Sequence, residues 1–242
     1  MIEIVFVLVF LFVVLVFFYK QTASEFHILQ IEQDKLETLP DLLTERNPIV
    51  IRGLGEPKLL TPEILKSNAR LGGAVEQYLQ PSTPSSPRDT PAELRSFLAS
   101  ESGLQVWAEH MWYPKLTEEL WYSFCLTMDA EVYLSSFGLR KTVADFTLYY
   151  PTSGEFVCSI MMNSALKFLP ATWEGRFMSD LTPADCPLLH EVQYIDVILR
   201  PGHMLILPPH WLVTLRAKDG TVPICGVIEV HTPLSKLAKA LE

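Results

Sequence analysis

RPGHMLILPPHWLVTLR, residues Arg200 to Arg216, is the stretch from which an architecture can be argued. A Pro201-Gly202 turn precedes an apolar strand, Met204 to Leu207. A double proline, His210 and Trp211 follow, and a second β-prone run covers Leu212 to Leu215. Proline fixes φ and supplies no ladder donor, so two strands joined across Pro208-Pro209 suit an all-β sandwich or barrel in which the chain bends sharply.

On both sides of that corner the pattern continues. Predicted strands cover Glu131 to Phe137, Thr142 to Tyr150, Glu155 to Met162, Ala165 to Leu169, Tyr194 to Arg200, Leu212 to Lys218 and Val222 to His231, with Arg176 to Leu188 as the long connection. Short strands separated by turn residues at regular intervals point to a jelly roll or barrel. The first half is mixed. Phe26 to Ile31 reads as a strand, Leu36 to Arg46 as a helix with its leucines on one face, and Pro48 opens a strand that runs to Arg52. Thr61-Pro62-Glu63 and Thr90-Pro91-Ala92-Glu93 are helix starts, each with a threonine cap, a proline in the first turn and an acid against the dipole. The first of these helices runs to Gly72-Gly73 and the second to Ala99; strands are expected at Ala74 to Leu79 and Leu104 to Glu109, and a further helix at Lys115 to Phe124. Residues 81–91, rich in proline and serine, form a loop. The expected class is mainly β with N-terminal helices, an α+β chain, and residues 233–242 close it with a short helix.

Two of these segments resemble one family. The Arg200 to Arg216 stretch is similar to the last conserved segment of the JmjC-like cupin hydroxylases, Fe(II)- and 2-oxoglutarate-dependent enzymes built on a double-stranded β-helix. Gly202 matches the turn glycine, His203 stands where the family has an acid, Met204 to Pro208 matches the strand and its proline, and Trp211 the tryptophan. PIVIRGL, residues 48–54, is similar to a short strand near the family's N-terminus, about 150 residues earlier and in family order. The resemblance spans residues 26–231 and is carried by its two ends.

What the resemblance implies about the site is a set of replaced ligands. The family holds iron with a His-x-Asp pair and a distal histidine. The implied register puts Tyr150 at the first histidine, Thr152 at the aspartate and Val213 at the distal histidine, with Thr147 as the preceding threonine and Lys167 near the lysine that holds the 2-oxoglutarate carboxylate. Valine binds no metal, and the tyrosine phenol, with a pKa of about 10, suits Fe(II) poorly. A shift of register would bring Asp145 or Glu155 toward the site, and a different metal site could use His203 and His210 with Asp196 or Glu229. His27, His110, His190 and His231 carry no motif, and the aromatic cluster around Trp107, Trp112 and Trp121 reads as core.

The first residues point to a membrane. Ile4 to Phe18 is an unbroken apolar run between Glu3 and Lys20. With Tyr19, at ~1.5 Å per residue it covers roughly 24 Å, and Met1 and Ile2 bring it close to a ~30 Å hydrocarbon core. A cleavable signal peptide would need a basic start and a small residue three positions before Ala23, and has neither. The expected arrangement is a transmembrane anchor over 1–20, a linker over 21–25 and a domain over 26–232. Lys20 after the run places the domain on the cytosolic side by the positive-inside tendency. Cys125, Cys158, Cys186 and Cys225 are widely spaced, as buried thiols of a reducing compartment are. A net charge of -9 argues against a nucleic-acid partner. No GxSxG, HExxH or GxGxxG motif is present.

The expectation is therefore a membrane-anchored binding or scaffold module without catalysis or cofactor, engaging an unknown protein partner. The alternative is a hydroxylase using Fe(II) and 2-oxoglutarate through unusual ligands. A secreted sugar-binding sandwich is a third reading.

Overall fold

The computed structural model describes Val7, Phe10 and residues 27–55, 60–68, 70–76, 78, 90–118, 120, 122–218, 220 and 222–241. The expected anchor and linker lie outside the described residues apart from Val7 and Phe10, as does most of the loop over 81–91. Among the described residues no helix is long and apolar enough to cross a membrane.

The described strands are β1 (Leu29–Glu32), β2 (Ile49–Arg52), β3 (Thr127–Tyr133), β4 (Phe137–Lys141), β5 (Phe146–Ser153), β6 (Phe156–Met162), β7 (Ile195–Leu199), β8 (Met204–Leu207), β9 (Trp211–Ala217) and β10 (Ile224–His231). They form a large sheet in the order β1-β2-β8-β5-β10-β3 and a small sheet in the order β4-β9-β6-β7. β1 runs parallel to β2, and the other ladders are antiparallel. From β3 onward the first strand pairs with the last and the pairing continues inward: β3 with β10, β4 with β9, β5 with β8, β6 with β7. Thr127 to His231 is thus one long antiparallel ribbon folded so that successive strand pairs alternate between sheets. Among the described strands no ladder joins the two sheets, so they face each other without closing into a barrel.

The Pro208-Pro209 corner works as the sequence suggests, and Thr142 staples it. Thr142 donates its hydroxyl to Pro208 O at 2.8 Å, its Oγ1 accepts from Trp211 N at 2.9 Å, and its backbone accepts from His210 N at 2.8 Å. His210 takes a positive φ of 67°, a strained position for a residue with a Cβ, held by these bonds.

The core has separate compartments. Leu205, Leu207, Tyr149 and Val227 of the large sheet meet Phe156, Cys158, Ile160, Val213 and Leu215 of the small sheet. On the other face of the large sheet, Ile49, Ile51, Leu148, Tyr150, Ile206 and Ile228 pack under helical segments through Leu39, Leu65, Leu98, Leu104 and Trp112. A smaller cluster lies outside the small sheet, where Leu139, Met161 and Leu212 meet Ala165, Leu181 and Val192.

Several expected elements take another form. Residues 104–109 belong to a helix, Leu104–Met111, because Gly103 turns the chain at φ 77° and burial falls on Leu104, Ala108 and then Trp112, one helical turn apart, with Val106 exposed. Ala165–Leu169 is not a strand but part of a 3-10 segment, Asn163–Phe168, that ends β6. The described part of 74–79 continues a helical turn, Gly72–Val75, and within 115–124 the helix Tyr113–Thr117 is followed by a 3-10 turn at Ser123–Cys125. The predicted strand Glu131 to Phe137 is two strands, since the chain leaves the large sheet after Tyr133 and enters the small one at Phe137. The closing helix runs Pro233–Leu241.

Candidate functional site: the charged end of the space between the sheets

Strand alternation determines which side chains look into the space between the sheets. On β5, Tyr149 belongs to the inter-sheet core and Leu148 and Tyr150 to the helical side, so Thr147 looks inward with Tyr149. On β3, Tyr133 is inward, and so are Glu131 and Asp129. On β10, Val227 is inward, as are Glu229 and His231. Thr147 lies beside Glu229 in the register and Glu229 beside Asp129. One end of an apolar space is therefore lined with charge.

Arg140 on β4 reaches into this end from the small sheet. Its guanidinium carbon lies 4.0 Å from the Phe137 ring centre and 5.1 Å from that of Tyr133, and Nη1 donates to the Tyr133 hydroxyl at 2.5 Å. Arg95, on the helix Ala92–Glu101, donates to the same hydroxyl at 2.7 Å and lies 3.3 Å from the Glu131 carboxylate. Tyr133 in turn donates to Glu131 at 3.0 Å. Burial pushes the Tyr133 phenol well up, partly offset by Arg140, so it stays a protonated donor. Burial pushes Tyr149 up as well, against the pull of Arg140.

A second group closes the same end from the C-terminus. Glu229 accepts from Lys239 of the closing helix at 2.5 Å and lies 3.1 Å from His231 Nε2. Burial alone would raise the Glu229 carboxyl. The His231 hydrogen bond and the Lys239 cation outweigh it and hold the group at about 2. Lys239 is raised in turn: burial opposes its charge and Glu229 overcomes that. Lys236 pairs with Asp129 at 3.2 Å, and His231 is fully buried. Thr147 is buried and its hydroxyl has no hydrogen-bond partner among the described atoms.

The residues named from the sequence do not meet. Tyr150 faces the helical side, stacks on Trp107 at 5.3 Å and donates to Gly55 O at 3.2 Å. Thr152 donates to Leu60 O at 2.9 Å. The two bonds tie β5 to Gly55 and to Leu60, whereas Val213 is buried between the sheets. Thr147 is on the inner face. Lys167 sits on the 3-10 segment after β6 with its ammonium 4.6 Å from the Phe168 ring centre.

The alternative donors are equally scattered. His203 is in the turn before β8 with Nδ1 3.4 Å from Ile198 O. His210 is exposed at the corner, Asp196 accepts from Ser159 on the outer side of the small sheet, and Glu155 is taken by Arg200 and Lys218. Asp145 accepts from Thr232 N and Ser235 Oγ. Among the described residues no three of His, Cys, Asp and Glu converge as metal donors. These residues do not fit an Fe(II) centre, which needs two imidazoles and a carboxylate around one point.

Arg140, Tyr133, Glu131 and Arg95 were not singled out from the sequence. The signal was there: Asp129, Glu131 and Tyr133 alternate on a strand whose other face is apolar, and Glu229 and His231 do the same on β10. Two polar stripes that pair with each other imply a charged face. No protein-family model matches this chain, and no match was found among curated proteins.

Proposed function

We propose that this chain is a non-catalytic jelly-roll domain of the JmjC-like cupin type, held on the cytosolic face of a membrane by residues 1–20 and serving as a binding or scaffold module for a protein partner. The fold part of this reading draws on the ribbon from Thr127 to His231, whose first-with-last strand pairing across two sheets is the logic of an eight-stranded jelly roll. The membrane part draws on the apolar run Ile4 to Phe18.

The loss of catalysis rests on one observation. Val213, at the distal ligand position the resemblance implies, has Arg140 as its cross-strand neighbour, with the guanidinium packed over both the Phe137 and Tyr133 rings. A fixed guanidinium beside a would-be metal position repels a divalent cation, and a valine offers it no donor. The charged end then serves recognition and rigidity.

The test is metal content of the full chain, purified in detergent without chelator, with an Fe(II) and 2-oxoglutarate titration by calorimetry. The expected result is no stoichiometric metal and no co-substrate heat. Stoichiometric iron with saturable 2-oxoglutarate binding overturns the reading in favour of the hydroxylase. A variant lacking residues 1–20 is expected to leave the membrane fraction, and its retention there overturns the anchor.

A further inference from the structure

The two sheets have four outer edges, and the chain treats them unequally. β3 is capped by side chains: Gln105 Nε2 donates to Met128 O at 2.7 Å, Gln105 Oε1 accepts from Ala130 N at 2.8 Å, and Thr90 Oγ1 accepts from Leu134 N at 3.0 Å. β4 is capped by backbone, since Leu139 N donates to Arg176 O at 2.7 Å and Gly175 N to Leu139 O at 2.8 Å. Gly138 permits that approach, because a Cβ there would lie 1.9 Å from Gly175 O. β1 is four residues long and exposes Gln30 and Glu32.

β7 differs. Among the described hydrogen bonds, the only one to its backbone outside the β6 ladder is from the His203 ring to Ile198 O, at a long 3.4 Å. Every second residue of an edge strand directs its N–H and C=O away from its own sheet, and natural edges are normally blunted by charges, proline or a bulge. The one charge on β7, Asp196, is tied back to Ser159 of its own sheet at 2.5 Å. Ile198 is 51% exposed and the preceding Tyr194 47% exposed, so the edge is open, with two large hydrophobic side chains on either side of the exposed Asp196.

We propose that β7 is a dimer interface, pairing antiparallel with β7 of a second copy so that the small sheets continue into one another across a two-fold axis. The register that joins all five residues sets Val197 opposite the second copy's Val197 and Ile195 opposite its Leu199. Asp196 then faces Ile198 rather than its own counterpart, and Tyr194 faces Arg200. Sliding the ladder to bring Tyr194 level with Ile198 would set the two Asp196 side chains directly opposite, which like charges oppose. Pro201 ends the ladder because it has no N–H to give. The interface is self-complementary and closed, as a two-fold dimer requires. It stands apart from the reading of the inter-sheet space.

The experiment uses the full chain in detergent micelles. Val197→Cys puts two thiols opposite one another on the axis, and mild oxidation is expected to give a covalent dimer that reductant dissolves. Ile195→Cys, whose counterparts lie on opposite sides of the axis and beyond disulfide reach, is expected to cross-link about tenfold less. Light scattering of the unmodified chain is expected to give twice the mass of one chain in its protein component. Ile198→Lys, at an exposed position, is expected to return the mass of one chain with its far-ultraviolet circular dichroism unchanged and a melting transition that no longer depends on protein concentration. A chain that stays monomeric at every concentration reached, or a cross-linking yield for Val197→Cys no higher than that for Ile195→Cys, overturns the proposal and leaves the edge to a strand from a different protein.

Discussion

Tyr149 and Tyr150 are neighbours in sequence and belong to different cores. Tyr150 lies under the helices, stacked on Trp107 and bonded to Gly55, among Leu148, Ile206 and Ile228. Tyr149 lies between the sheets, close enough to the Arg140 guanidinium and the Glu229 carboxylate for their charges to act on its phenol. The helical face is apolar, and the hydroxyls of Tyr150 and Thr152 tie chain segments together there. The inner face is apolar at one end and charged at the other. A sheet buried on both sides thus has one wholly apolar face and one that is charged at one end, and one step along a strand moves a residue between the two.

The largest effect expected from breaking this contrast is on the helical face. Tyr150→Ala removes a fully buried ring, its stack on Trp107 and the tie to Gly55, and is expected to cost about 3–5 kcal/mol in denaturant unfolding. Tyr150→Phe keeps the ring and loses the tie alone, for about 1 kcal/mol. Neither change touches the inner face, so neither is expected to alter binding there at temperatures where the fold survives. Had Tyr150 been part of a ligand site, the phenylalanine variant would abolish binding while stability held.

This first contrast also shows what could be read from the sequence. The Pro208-Pro209 corner and the strands β6 to β10 were legible, because proline and turn residues punctuate the chain wherever a ladder must stop, although residues 165–169 read as a further strand and the pairing was not visible. The facing of β5 was not. Phe146 to Pro151 is buried on both faces, so no alternation of polar and apolar residues marks which side is which. Tyr150 and Thr152 were therefore placed toward a metal site that they face away from. The helix Leu104–Met111 was misread for the opposite reason, since Leu104, Val106 and Ala108 alternate with Gln105, Trp107 and Glu109 as a strand could, while the folded chain buries positions a helical turn apart. β4 was hidden because Leu134 to Ser136 carries no proline or glycine to announce a change of sheet.

The next effect belongs to the charged end of the inner face. Glu229 is held at about 2, below its ordinary value near ~4.3, by His231 and Lys239 against the cost of burial. A carboxyl depressed in the folded state contributes stability that is present above the ordinary value and lost as pH falls from about 4 toward 2. The contribution is on the order of 2 kcal/mol. Glu229→Gln is expected to be less stable than the parent at pH 7 and to show a correspondingly smaller decline between pH 4 and pH 2. A variant whose pH profile parallels that of the parent would mean the Glu229–Lys239 contact does not hold the closing helix down.

The smallest effect sharpens the contrast most, because its sign is informative. Thr147 looks into the inner face from a buried position and its hydroxyl has no partner there among the described atoms. Burying an unbonded hydroxyl is unfavourable, so Thr147→Val, which keeps the shape, is expected to be neutral or to stabilise by up to about 1 kcal/mol, read as a shift of denaturation midpoint at constant slope. A loss of about 1 kcal/mol or more would mean the hydroxyl is bonded in solution, to an ordered water or to a small molecule carried through purification. Mass spectrometry of the protein under non-denaturing conditions separates these, since a retained molecule adds a defined mass that the valine variant lacks. In that case the charged end formed by Arg140, Tyr133 and Glu229 would be a ligand site with Thr147 at its floor. In the other case it is a closed network of charges that holds β3, β4, β10 and the closing helix together.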